Sequence, residues 1–222
     1  RSLITVHGQP GRVDANQEEL SNPFGMDEDC RNCPELCETR SSIAHGYGDV
    51  GADFLFVGEI PGPGADETGV PFTGDDAGRQ LLEILRRLGL CGSPADSEEP
   101  ELGNAFLTYL TRCRHPDRAP TDEEIVNCEP YLNAEIRMIN PEILVPIGER
   151  ALEEIGTEYT TTPADELDIV EDHGERIRGR GFELVPMIAP EKQTDAQTQA
   201  FVESFAELMA TDYRQTKGRR GR

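Results

Sequence analysis

The chain reads as an α/β protein, a parallel sheet covered by helices on both faces. Three observations predict this. Short apolar runs bounded by Gly, Pro, Asn or Asp recur at 53–58, 105–111, 143–147 and 183–188. Segments with apolar residues at helical spacing separate those runs. Two of the segments open on a capping box, Thr121 with Glu124 and Thr194 with Gln197. Regular alternation of strand and helix builds a parallel sheet, and such sheets carry their sites at the carboxyl ends of the strands.

Taken in order, residues 1–29 are polar and rich in Gly, Pro, Asn and Asp, and read as a loose arm. Residues 30–37, CRNCPELC, form a compact cysteine knuckle. The run 53–58, DFLFVG, is a buried strand, followed by a long glycine-rich loop and a helix from 76 to about 88. Leu81, Leu82, Leu85 and Leu88 share one face of that helix, and Gly89 stops it. The second strand, 105–111, leads through a Pro-rich turn into a long helix opened by Thr121 and closed by Pro141. Its inner face is Ile125, Cys128, Leu132, Ile136 and Ile139. A third strand at 143–147 precedes a short helix from 148 to about 155. Residues 157–182 are acidic and polar, a loop or hairpin. A fourth strand at 183–188 leads to a final helix that buries Phe201, Phe205 and Leu208. The end of the chain is a basic tail.

The 222 residues suffice for one domain, and an apolar share of 36% gives it a modest core. No apolar run approaches the ~20 residues of a membrane helix. No secretory leader is visible, so the protein is expected in the cytoplasm, away from membranes. The net charge is -22, from 43 acidic against 21 basic residues, and all but two of the basic residues are Arg. Such acidity ordinarily argues against a nucleic-acid partner. In multimolar salt screening shrinks to a few ångströms, and a dense acidic surface is tolerated. We read the composition as halophilic, which leaves a local Arg-lined DNA site open.

Six cysteines without a secretory leader favour metal over disulfides. Cys30 and Cys33 form a CxxC pair, Cys113 follows the second strand, and Cys128 lies in the next helix. Four thiolates suit zinc or an iron–sulfur cluster. Zinc would normally show two close pairs, whereas Cys113 and Cys128 are separated by 14 residues. Cys128 also fits a plain core position. Spacing therefore leaves cluster, zinc and no metal open. Cys37 and Cys91 have no evident partners.

GEIPGPG, 58–64, lies between a strand and a helix. Alone it is a weak sign of a backbone cradle for an anionic or planar ligand, and it lacks the dinucleotide GxGxxG spacing. The combination is more specific. CxxC precedes GEIPG, TGVPFTGDDAG at 68–78, LTYLTRCRHP at 107–116 and TDEEIVNCEPYL at 121–132. This order resembles the family 4 uracil-DNA glycosylases, the iron–sulfur branch of that superfamily. Their counterparts are GEAPG, TGRPFVG, a TNVVKCRPP-like strand and PxxEExxxCxPYL. The resemblance spans about 30–148 and continues faintly to the final helix.

The resemblance implies a three-layer α/β/α sandwich with a central four-stranded parallel sheet. It implies a [4Fe-4S] cluster on Cys30, Cys33, Cys113 and Cys128. It implies a domain over 30–212, between an arm at 1–29 and a disordered basic tail at 213–222. It also implies an activity: flipping a deoxyuridine out of DNA and hydrolysing the base–sugar bond. Phe72 matches the stacking aromatic, and Glu59 the carboxylate near the water. Gly58, Ile60 and Gly62 would supply backbone contacts. Two positions depart from the pattern. Tyr109 stands at the Asn that reads the base edge, and Ala189 at the His of the late HPA or HPS motif. His115, in the turn after Cys113, suggests a phosphate contact. The primary expectation is a monomeric base-excision glycosylase acting on uracil or a related altered base in single-stranded or duplex DNA. The alternatives are a catalytically weak or inactive iron–sulfur DNA-binding module, or a partner protein that keeps only the scaffold.

Overall fold

The strand at the centre of the sheet has no polar face. β2 (Phe54–Gly58) is buried at all five positions, the mark of a strand covered on both sides. The computed structural model describes residues 19–214. The expected arm up to residue 18 and the tail from 215 lie outside the described residues. The other strands are β1 (Tyr47–Gly48), β3 (Ala105–Tyr109), β4 (Ile143–Pro146), β5 (Ile177–Arg178) and β6 (Glu183–Leu184). They form one sheet in the order β1-β3-β2-β4-β6-β5.

The central β3-β2-β4-β6 pairings are all parallel, which is the four-stranded core expected. β1 and β5 add antiparallel edges, so the whole sheet is mixed. Each edge strand is two residues long, too short to leave a periodic signature. The regular ladder of the fourth strand is also shorter than its apolar run. It stops at Leu184, but the Val185 and Met187 N–H groups still donate to Leu144 and Pro146 carbonyls. Pro146, the last residue of β4, has no N–H to return to this strand. Likewise Leu110 N–H continues past the end of β3 to the Gly58 carbonyl at 2.9 Å.

Alternation along the strands divides the core into two layers. Phe54, Phe56, Leu107 and Val145 face α3 (Asp76–Arg87) and α6 (Asp195–Ala210), meeting Leu81, Leu85, Phe201 and Phe205. Leu55, Val57, Phe106 and Leu144 face α4 (Asp122–Ile139) and α5 (Glu149–Tyr159), meeting Ile125, Leu132, Ile136 and Ile155. The result is a three-layer sandwich. Both predicted capping boxes are formed, with each N-cap Thr and its Glu124 or Gln197 satisfying one another's backbone amides. Short helices α1 (Pro34–Thr39) and α2 (Pro63–Thr68) sit in the knuckle and in the glycine loop.

Residues 19–29 run beside β1, with Asn22 N–H on the Gly46 carbonyl at 2.9 Å. At the other end Tyr213 hydroxyl donates to Asp53 at 2.9 Å, below the amino end of β2. Among the described residues no helix is long and apolar enough to cross a membrane.

Candidate functional site: a base-sized cleft and a four-cysteine cavity

A cleft of about 510 Å³ opens at the carboxyl ends of β2 and β3. Gly58, Glu59, Ile60, Gly62, Phe72, Tyr109 and Ala189 all lie on its wall. The glycine loop is fastened there by Asp75. One oxygen of its carboxylate caps α3 by accepting Gly78 N–H at 2.8 Å, and the other accepts Gly64 N–H at 3.1 Å. An Asp ahead of a helix is a readable cap signal, yet its second bond, to the glycine loop, is a tertiary matter.

Phe72 holds φ at +57°, a conformation uncommon for a non-glycine residue and often kept at functional sites. Its N–H donates to the Tyr109 hydroxyl at 2.9 Å, and the two ring centroids lie 4.6 Å apart. Burial pushes the Tyr109 phenol far above its ordinary range, so it is neutral at any working pH. Gly58 is required between them, since a methyl there would stand 2.6 Å from Phe72 Cζ.

Glu59 turns one oxygen to the amino end of α5, where Oε1 accepts Arg150 N–H at 2.9 Å. A carboxylate suits that end of a helix. Gly148 (φ +94°) makes the approach possible, because a side chain there would meet Glu59. Ala189 begins the short 3-10 turn Pro190–Lys192 and presents only a methyl. His173 touches the adjoining residue: its Nδ1 accepts Ile188 N–H at 3.0 Å and its Nε2 donates to the Gln197 carbonyl at 3.0 Å. Both ring nitrogens are engaged, and burial lowers its pKa and keeps the ring neutral. His173 therefore has no free ring nitrogen to turn toward Ala189. Arg114 and Lys192 bring positive charge to the cleft wall, among Glu59, Asp75, Asp76 and Glu191. His115 lies in the exposed turn next to Arg114, its Nδ1 accepting Asp117 N–H at 3.2 Å.

Cys30, Cys33, Cys113 and Cys128 line one second, small cavity. The CxxC pair comes from the start of α1, Cys113 from the turn beyond β3, and Cys128 from the inner face of α4. Arg40 bridges two of the segments, donating to Cys113 Sγ at 3.2 Å and to the Cys30 carbonyl at 2.6 Å. Asn127 amide approaches Cys33 Sγ at 3.6 Å. Burial pushes the Cys113 thiol up to about 11, against the pull of Arg40. Cys37 instead points its thiol to the Cys30 carbonyl, and Cys91 is buried elsewhere with its thiol near the Ser93 carbonyl.

The donor set can be tested against the two metal options. Among the described residues no three His, Cys, Asp or Glu side chains are gathered tightly enough for a single ion. One tetrahedral ion with bonds of about 2.3 Å draws four sulfurs into a knot. A four-iron cluster takes one thiolate per iron and spreads them around a larger body. Four cysteines line one cavity with the cations Arg40 and Arg112 on the same wall, a donor set of one thiolate per iron. Sequence reasoning missed Arg40 and Arg112, because neither falls in a cysteine spacing pattern.

A parallel sheet with an aromatic floor and a glycine loop at its carboxyl edge defines an α/β domain with its cleft where such sheets carry their sites. The profile of the Uracil DNA glycosylase superfamily matches residues 45–210, and the chain belongs to that superfamily. It is 34% identical over 160 residues to the type-4 uracil-DNA glycosylase of Archaeoglobus fulgidus, covering 70% of this chain and 68% of that one. It is 36% identical over 124 residues to the type-4 enzyme of Sulfurisphaera tokodaii, covering 55% of this chain and about half, 51%, of the relative's length. The type-5 uracil-DNA glycosylase of Pyrobaculum aerophilum aligns over 93% of this chain and 95% of its own length at 26% identity. The profile match starts after Cys30 and Cys33, so superfamily membership by itself says nothing of the cluster.

Proposed function

We propose that this protein is a DNA base-excision glycosylase of the iron–sulfur, type-4 kind. It hydrolyses the N-glycosidic bond of uracil or a related altered base in DNA. The observation that carries the reading is the cleft itself: a glycine loop, an aromatic platform and a carboxylate at the carboxyl end of a parallel sheet in a superfamily member. In this reading the flipped base meets Phe72 and the backbone of Gly58, Ile60 and Gly62. Glu59 orients the water that attacks the sugar, and the base departs as an anion. Arg114 and Lys192 at the cleft, with His115 nearby, hold the flanking phosphates. Cys30, Cys33, Cys113 and Cys128 would hold a [4Fe-4S] cluster, which ties the knuckle to β3 and α4. The protein works as a monomer in the cytoplasm of a high-salt organism.

A second reading is favoured by one observation: Ala189 offers no donor to the leaving base and His173 is engaged elsewhere. Losing one such donor costs on the order of 2.7–4 kcal/mol of barrier. A slow enzyme, or a DNA binder without cleavage, follows from it.

The test uses the full chain purified without oxygen in high salt. Single-stranded and mismatched duplex oligonucleotides carry uracil, hypoxanthine or xanthine, and abasic product is scored by alkaline strand cleavage. Slow product from at least one substrate is expected. No abasic product from any of them removes the enzyme reading, and retained binding to the same oligonucleotides then supports the second. Absorbance near ~400 nm with about four irons per chain is the expected signature of the cluster.

A further inference from the structure

The floor of the cleft already has an occupant. The Tyr109 ring lies against Phe72 with centroids 4.6 Å apart and planes inclined by 31°, within the range of aromatic stacking. Its hydroxyl oxygen accepts Phe72 N–H at 2.9 Å. Gly58 gives both rings their room, since a methyl there would stand 2.8 Å from Tyr109 Cδ1. Tyr109 is only 2% exposed, so no solvent-filled slot remains on its ring. A flat six-membered ring on an aromatic platform, with an exocyclic oxygen on a backbone amide, reproduces how a pyrimidine carbonyl compound would bind there.

We propose that Tyr109 is an internal stand-in for the base. It fills the stacking slot on Phe72 and takes the Phe72 amide that would donate to a base carbonyl, so a pyrimidine enters this slot only when Tyr109 is displaced. The inference rests on the glycosylase reading in one respect, that Phe72 is the base platform. It goes beyond that reading by making Tyr109 the residue that decides which base, if any, is admitted. An Asn at the same position would leave the platform bare and read the edge of a base. The tyrosine covers the platform and accepts the Phe72 amide itself. Ala189, also on the cleft wall, adds only a methyl.

The test is a calorimetric titration of the purified full chain with free uracil, on wild type, Tyr109→Phe and Tyr109→Ala. The wild type and Tyr109→Phe, which keeps the ring, should bind uracil equally weakly. Tyr109→Ala should bind it at least tenfold more tightly. Uracil binding by the wild type or by Tyr109→Phe as tight as by Tyr109→Ala overturns the proposal, as does a folded Tyr109→Ala with no gain. A second measurement does not depend on Tyr109→Ala folding. Hydrogen exchange at the Phe72 amide should be about tenfold or more faster in the near-isosteric Tyr109→Phe than in the wild type. An unchanged rate overturns the proposal. Its failure is separable from that of the glycosylase reading. Abasic product from wild type without a gain in Tyr109→Ala removes the stand-in alone. A gain in uracil affinity with no abasic product from any variant removes the enzyme reading alone.

Discussion

At the scale of the residue, the chemistry proposed for this cleft is limited by what Ala189 lacks. Its methyl can neither donate to a departing base anion nor orient one, and the neighbouring imidazole of His173 has both nitrogens bonded. Replacing Ala189 by His together with Tyr109 by Asn should raise the rate of uracil release by on the order of 10²-fold, the usual effect of one well-placed donor. Single-turnover cleavage of a uracil oligonucleotide measures it, and no gain would put the assignment of Tyr109 and Ala189 to those two roles in doubt. His173 itself makes a prediction about pH. Burial lowers its pKa in the folded protein, so unfolding takes up a proton once the pH drops below the ordinary histidine value of about 6.5. Its contribution to stability is therefore complete above that pH and declines as the pH falls toward the folded-state value. Thermal melts of wild type and His173→Gln between pH 7.5 and pH 5 should converge as the pH falls. A gap that stays constant across that range would contradict the neutral buried ring.

At the scale of the element, α4 carries two loads at once. One turn delivers Cys128 to the four-cysteine cavity, and two turns later Glu135 enters the interior. Glu135 Oε2 accepts from Arg112 at 2.7 Å and from Thr108 hydroxyl at 2.7 Å, while Oε1 accepts Gly46 N–H at 3.1 Å. Arg112 and Glu135 side chains are each 1% exposed. Removing one member of such a pair strands the other charge, so Glu135→Ala should cost about 3–5 kcal/mol in urea denaturation. The pair joins α4, β1 and β3 beside Cys113, which makes it the brace between the cysteine cavity and the sheet. The cavity has its own test at this scale. Cys113→Ala should abolish the ~400 nm absorbance and bound iron, whereas Cys91→Ala, whose thiol lies in the other core layer, should keep both. Equal loss in the two variants would disqualify the four-cysteine assignment.

At the scale of the whole molecule, 43 acidic side chains face 21 basic ones. Much of that repulsion is at the surface and is screened by salt. The melting temperature should rise steadily between about 0.1 M and 3 M potassium chloride, and a salt-independent melting temperature would remove the halophilic reading. The same scale shows how much was legible in advance. Apolar runs and capping boxes specified the alternation, because burial on both sides of a parallel strand and a satisfied helix terminus each leave a local pattern. β1 and β5 left none at two residues each, and the fourth strand's ladder stops opposite Pro146 of the neighbouring β4, whose missing N–H would have faced it.

By itself the sequence determined the parallel core, its two helical layers and the residues that wall the cleft. It could do so because these depend on periodicity, on caps and on contiguous motifs. Only the tertiary structure decided how those residues are used. Glu59 meets α5 across 91 positions of chain, and Tyr109 meets Phe72 across 37. Arg40 reaches Cys113 across 73. Partners that far apart are chosen by the packing of one layer against another. No spacing rule encodes that choice, and here it decides that Tyr109 lies against Phe72.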